Sequence, residues 1–156
     1  MRWLRSGAAT LSLILAALVG YEGFSSVPYQ DDAGIWTNGY GNTVGVTAST
    51  PPITHQQAEA ALVKHVEVWE KAVDAALTRP ASEGQTVAYV SLTHNIGARA
   101  FAGSTVVRRH NAGDDRGACD AILMWDKVTV HGILRHSKGL AKRRASERDI
   151  CLRGIQ

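Results

Sequence analysis

Cysteine is scarce in this chain of 156 residues: only Cys119 and Cys151 occur. They form no CxxC pair and stand beside no paired histidines, which argues against zinc sites and thioredoxin-type redox chemistry. Aromatic residues are missing from the basic stretch that carries Arg135, Lys138, Lys142, Arg143, Arg144 and Arg148. The interleaving of aromatic and basic side chains that marks many nucleic-acid modules is therefore absent. No internal repeat and no low-complexity tract breaks the chain. A long hydrophobic run is lacking too. The uncharged stretch 7–20 would reach roughly 21–24 Å as a helix, short of the ~30 Å hydrocarbon core of a bilayer.

What is present reads as one globular domain with a real core. The length suffices, and 45% apolar with 20% charged residues is ordinary for such a domain. The net charge of +3 suits an anionic partner such as a bacterial wall or a membrane surface, although a solvated helix face explains many of the same charges. At the N-terminus a short basic start, Met1-Arg2-Trp3-Leu4-Arg5, precedes the uncharged stretch. On a helix Leu11, Leu15 and Leu18 share one face, and Ala9, Ser12, Ala16 and Gly20 another. Arg2 and Arg5 ahead of the stretch place the N-terminus on the cytoplasmic side of a membrane and the remainder outside it.

After Glu22 the pattern changes. Pro28, Gly34, Gly39, Gly41 and Gly45 punctuate short runs that read as a small β-hairpin or a three-stranded sheet, ended by Thr50-Pro51-Pro52. Helical signals follow. Thr54 with Gln57 forms a capping box for a helix over 55–77, with a stripe of Ala58, Leu62, Val66, Trp69 and Val73. Ser82 with Gln85 opens a second, buried helix that ends near Gly97. Ser104 or Thr105 starts a third, closed by Gly113. Asp114 or Asp115 caps a fourth containing Cys119, Ile122, Leu123 and Trp125. A loop from about Gly132 to Gly139 leads to a last helix over about 140–152. The expected fold is α+β with two lobes: a small antiparallel sheet lobe, a mainly helical lobe, a cleft between them and an N-terminal helix.

The most informative stretch is Glu22-Gly23, Tyr29, Asp31, Gly34, Thr37 and Gly39-Tyr40-Gly41. An acid at a helix end, a second acid in a following hairpin and a hydroxyl close behind it suit the cleavage of a glycosidic bond. That chemistry needs a proton donor for the leaving oxygen and usually a second carboxylate. Glu22 is the candidate acid, and partial burial beside Tyr21 and Phe24 is expected to raise its pKa. Asp31 is the candidate base and Thr37 the group that holds the attacking water. The competing reading of Asp31 is a turn former, a role that suits its neighbour Asp32 better.

This pattern resembles the phage lysozymes, the endolysins related to the T-even phage enzyme. The resemblance runs from about residue 20 to 153, through His94-Asn95-Ile96-Gly97, Phe101, Ser104-Thr105, Trp125, Gly139-Leu140, Arg143-Arg144 and Glu147-Arg148. It implies that Asn95 and Gly97 line a sugar cleft opposite Asp31, and that Arg143 is a charge partner orienting Glu22; His94 reads as a packed helix residue. Two positions depart from the pattern: Asn42 stands where many relatives have His, and Asn38 where relatives often have an apolar residue or Cys.

The resemblance implies a peptidoglycan muramidase of inverting type, a monomer needing no metal or cofactor, with no nucleic-acid partner. It also ranks the readings of the N-terminus. A cleaved secretory signal would leave Glu22 on a frayed end, and a permanent anchor needs a stronger span. A signal-anchor-release segment, residues 1–20 ahead of a catalytic domain at 21–156, fits weak hydrophobicity. Such a chain is exported to the periplasm, held by the inner membrane through residues near 7–20, and then released. Export favours one disulfide between Cys119 and Cys151 over two buried thiols, adding roughly 3–4 kcal/mol in the chain-entropy model. The rival functions are a lytic transglycosylase and a non-catalytic peptidoglycan-binding relative.

Overall fold

The computed structural model describes residues 7–31 and 34–156, so the turn role expected of Asp32 lies outside the described residues. The body is a set of helices packed round one that is buried on all sides. Helix α3 (Glu83–Ile96) buries an unbroken run from Gln85 to Thr93, which is why its sequence shows little amphipathic bias. Its start is fixed by the Ser82–Gln85 capping box. Helix α2 (His55–Ala76) begins at the Thr54–Gln57 box and buries Ala58, Leu62, Val66 and Val73 along one stripe. Both helices start where the capping residues place them, since each box satisfies two backbone donors that the first turn leaves orphaned.

Helix α1 (Ala8–Tyr21) packs on this core through Ile14 and Leu18, with Leu11 and Leu15 half-buried, while Ala9, Ser12, Ala16 and Gly20 face solvent. Two faces anticipated from the sequence are thus the inner and outer faces of one helix. Among the described residues no helix is long and apolar enough to cross a membrane.

The C-terminal helix α7 (Lys138–Arg153) closes against α3. A methyl group built on Gly84 would lie 2.5 Å from the carbonyl oxygen of Ile150, so only glycine allows this approach. Three short helices, α4 (Ala98–Ala102), α5 (Thr105–Asn111) and α6 (Asp115–Ala121), complete the body. Cys119 of α6 and Cys151 of α7 are joined by a disulfide, fully buried.

Two antiparallel hairpins stand on this frame. Strands β1 (Ser25–Gln30) and β2 (Trp36–Gly39) pair Tyr29 with Thr37 and Gln30 with Trp36. This sheet has two strands and not three. The run 44–47 forms none, and after Gly39 the chain makes a single bridge between Asn38 and Asn42. Those two residues, both departures from the family pattern, also bond through their side chains at 3.2 Å.

The second hairpin corrects the loop expected near 132–139. Strands β3 (Lys127–Val130) and β4 (Ile133–His136) pair in full register about a turn at His131 and Gly132, whose φ values are 49° and 77°. Two central residues with positive φ match the right-handed twist of the flanking strands. The expected helix through Trp125 also stops early. It ends at Ala121 and a 3₁₀ turn (Ile122–Met124) follows; the carbonyl of Trp125 instead accepts from Arg144 Nε at 2.9 Å.

Candidate active site

Glu22 sits where α1 runs out. Its own N–H still bonds the carbonyl of Leu18 at 3.0 Å, so the helix fixes its backbone. Its carboxylate then meets three other parts of the chain. Arg143 of α7 donates from Nη1 to Oε1 at 2.7 Å. His94 of α3 brings Nε2 to 3.4 Å from the same oxygen. The backbone at Gly41, beyond β2, comes so near that a methyl there would lie 3.0 Å from Oε2. Gly41 has φ +78°, so the glycine is required both by its conformation and by the carboxylate beside it.

His94 is held in one tautomer. The indole of Trp69, which can only donate, gives its N–H to His94 Nδ1 at 3.1 Å. Nδ1 must therefore be the acceptor, and the ring proton sits on Nε2, facing Glu22. The sequence reading of His94 as a packed helix residue missed this contact.

The expected rise in the pKa of Glu22 is reversed. Burial does push the carboxyl up, but the hydrogen bond from His94 and the charge and hydrogen bond of Arg143 more than offset it, and the pKa is lowered to about 2. Glu22 is ionised across the neutral range in this state.

Beneath it lies a buried ionic cluster. Arg143 Nε donates to Glu147 Oε1 at 3.1 Å, Ser91 donates to the same oxygen at 2.6 Å, and Arg144 pairs with the other oxygen of Glu147. Arg143 also stacks over the ring of Tyr21, 4.8 Å from its centre. Arg144 and Glu147 are fully buried. Two guanidiniums and two carboxylates balance one another, which is the condition for tolerating charge in so dry a place. Glu147 was absent from the expected site. Its signal was its spacing after Arg143 and Arg144, four and three residues along one helix.

Asp31 and Thr37 lie on the first hairpin and hold the same residue. Asp31 Oδ1 accepts from the N–H of Ile35 at 2.9 Å, and Thr37 Oγ1 donates to the carbonyl of Ile35 at 3.0 Å. Asp31 thus has the turn-forming role that the sequence reading assigned to its neighbour. Thr37 is buried, and its hydroxyl oxygen keeps lone pairs for an incoming donor. Asn95 and Gly97 take different places. Asn95 accepts from Arg144. Gly97, with Arg99 and Trp125, lines an open pocket of about 650 Å³. Among the described residues no group of His, Cys, Asp and Glu has the arrangement of a metal site.

A helix ending in a paired glutamate, a hairpin pressed against it and a helical body carrying its partners define a lysozyme-like hydrolase. The family model described as Phage lysozyme matches residues 19–147. The SAR-endolysin of Enterobacteria phage P21 is 34% identical over 137 residues, spanning 88% of this chain and 81% of its own. The structure of an endolysin from Escherichia coli O157:H7 phage FAHEc1 superposes with a TM-score of 0.84 at 38% identity, covering 97% of this chain and 94% of that one. The active form of P1 phage endolysin Lyz gives 0.76 at 27% identity, covering 98% and 88%. The secreted inactive form of that protein, at 24% identity, shares the fold with a TM-score of 0.54. The chain belongs to the phage lysozyme family, and it is a glycoside hydrolase of the endolysin type.

Proposed function

We propose that this chain hydrolyses the β-1,4 bond between N-acetylmuramic acid and N-acetylglucosamine in peptidoglycan, with Glu22 as acid, Asp31 as base and Thr37 as the anchor of the attacking water. The observation that carries this is the seat of Glu22: fixed by a helix end, oriented by Arg143 and His94, and faced by the backbone of Gly41.

An acid whose pKa lies at about 2 must take up a proton before it can give one. Entry of the glycan supplies the drive. Burial already opposes the charge on Glu22, and a sugar covering the carboxylate removes its remaining water and strengthens that opposition. The proton then passes from Glu22 to the leaving glycosidic oxygen as the bond to the anomeric carbon breaks. Water held by Thr37 forms the new bond to that carbon and yields its proton to Asp31. The products are two fragments, one with a new reducing end and one with a new non-reducing end, with Glu22 ionised and Asp31 protonated until solvent resets them. Attack from the face opposite the leaving group inverts the anomeric centre. Glu22→Gln should lower lysis of purified walls by about a thousandfold or more while leaving the fold intact. Full activity in that variant would end the assignment. Product mass separates this route from a lytic transglycosylase, whose product is an anhydro sugar lighter by one water.

Residues 1–20 act, in this reading, as a signal-anchor-release segment that brings the enzyme to the periplasm, and the described conformation is the released, competent one. Two observations support it. The helix carries no charge, and the face it leaves in water, apart from Leu13 and Val19, is made of Ala, Ser and Gly, whose exposure costs little. The fold also matches the active form of the P1 protein better than its secreted inactive form. While stretch 7–20 lies in lipid, Ile14 and Leu18 cannot fill the core and Glu22 cannot reach Arg143. Mapping the N-terminus of membrane and soluble fractions tests this. Met1 retained in an active soluble species is expected; a soluble species that starts after Gly20 would refute release.

A further inference from the structure

We propose that the β3–β4 hairpin is a docking surface for an anionic phospholipid bilayer. It concerns a different part of the chain from α1 and holds whether or not stretch 7–20 ever enters lipid.

Every residue of both strands is exposed. A two-stranded ribbon with both faces in water is marginal unless something covers it. Its side chains are sorted along its length and not by face. Nearest the turn, Val130 pairs with Ile133 on one face, and Leu134 stands opposite Thr129 on the other. Ile133 and Leu134 are 56% and 63% exposed and, with Val130, gather the large apolar side chains at the turn end of the ribbon. At the base, Arg135 lies on the first face and Lys127 on the second, and Lys138 and Lys142 follow at the start of α7. The result is an apolar finger with a basic collar.

The charge is one-sided. No Asp or Glu occurs between Lys127 and Ser146, and the acid just before, Asp126, lies 3.0 Å from His136. None of the four exposed cations has an ion-pair partner among the described residues. A strand of this length spans about 13 Å at ~3.4 Å per residue. Seating the turn end about 5–10 Å into a bilayer interface buries the apolar residues and brings the collar to the phosphates. A glycan or peptide stem fits less well. It offers little apolar surface to Val130, Ile133 and Leu134, and the hairpin has no Phe, Tyr or Trp and no side-chain amide to meet a sugar.

The test is flotation of the full-length protein with vesicles of phosphatidylethanolamine containing about one third phosphatidylglycerol, against vesicles of phosphatidylcholine alone. Two double variants are compared with the parent: Ile133→Ser with Leu134→Ser for the finger, and Lys127→Glu with Arg135→Glu for the collar. Because α1 is the same in all three proteins, any difference belongs to the hairpin. The expected result is binding to the anionic vesicles that weakens about tenfold or more in each variant and on raising the salt, with lysis of purified walls unchanged. Equal flotation of parent and variants overturns the proposal, as does equal binding to both kinds of vesicle. Variants that lose retention on purified peptidoglycan but keep vesicle binding overturn it too, and make the wall the occupant.

Discussion

Among the described residues two antiparallel hairpins stand in opposite relations to the body. In the first, Thr37, Asn38 and Tyr40 are buried, Phe24 stacks on His55 with ring centres 3.6 Å apart, and Tyr40 bonds the same histidine at 3.1 Å. Its end presses on Glu22. In the second, no strand residue is buried; the bond from Ser137 N–H to the carbonyl of Asp126 only closes the hairpin's own base, and the body reaches it through Arg144, which bonds the carbonyl of Trp125 just before it. Strand pairing alone therefore says little about role. What separates the two is whether the hairpin is used to fix another group's position or is left free to meet something outside.

Two glycines give this contrast a matched pair. Gly41 and Gly132 have nearly the same φ, +78° and +77°, yet a methyl at Gly41 meets the carboxylate of Glu22 while one at Gly132 meets nothing within 4 Å. The largest effect is expected at Gly41. Gly41→Ala should displace Glu22 from Arg143 and, if Glu22 is the acid proposed above, lower wall lysis by about a hundredfold, because small misplacements of a reacting group are that costly. The same change adds about 1–2 kcal/mol of backbone strain. Steady-state lysis rates beside a denaturation curve separate the two, and an active Gly41→Ala enzyme would show that the first hairpin does not set the position of the acid.

An intermediate effect is expected from acid. The folded protein holds Glu22 ionised down to about pH 2, whereas the unfolded chain takes up its proton near 4.5. Between those values the unfolded state binds more protons, so the stabilisation is present above about 4.5 and is lost as pH falls towards 2. At 1.36 kcal/mol per pKa unit the limit is about 3 kcal/mol, and about 2 kcal/mol is the better expectation for a side chain that water still reaches. Urea midpoints measured from neutral pH down to the acid range should show the gap between the parent and Glu22→Gln narrowing towards acid. Parallel curves would mean that Arg143 and His94 do not hold the carboxylate in solution.

The same contrast explains what could be read from the sequence. The first hairpin was legible because its job leaves marks: glycines where backbone must turn or approach, and chemistry-bearing residues at fixed intervals between them. The helices were legible through their caps, and α2 and α3 begin at the two boxes the sequence shows. The second hairpin was read as a loop. Its strands are only four residues long, and with neither face buried no alternation of apolar and polar residues records it. His131-Gly132 was the available signal, a turn pair after the β-branched run Val128-Thr129-Val130. The charges around Glu22 were half legible. Arg143 followed from the family pattern, but the net direction of the pKa depends also on His94, brought in from α3. Spacing along the chain does not encode how such opposing effects add.

Gly132→Ala should have the smallest effect, and it is the one that tests the comparison from the other side. Alanine at φ +77° is strained by about 1–2 kcal/mol, as at Gly41, but no neighbour is displaced. The hairpin opens without disturbing a core, so the cost falls on local opening and not on the global transition. Hydrogen exchange at the amides that pair β3 with β4 should quicken by about tenfold, while the urea midpoint and the rate of wall lysis stay close to the parent's. Were Gly132→Ala to depress lysis of purified walls as deeply as Gly41→Ala, the second hairpin would have to touch the glycan or the residues that bind it, and the division between a positioning hairpin and an outward-facing one would fail. If exchange quickens with lysis unchanged, the two glycines share a φ but not a function, and the difference between them is the carboxylate at 3.0 Å from one and the empty space beside the other.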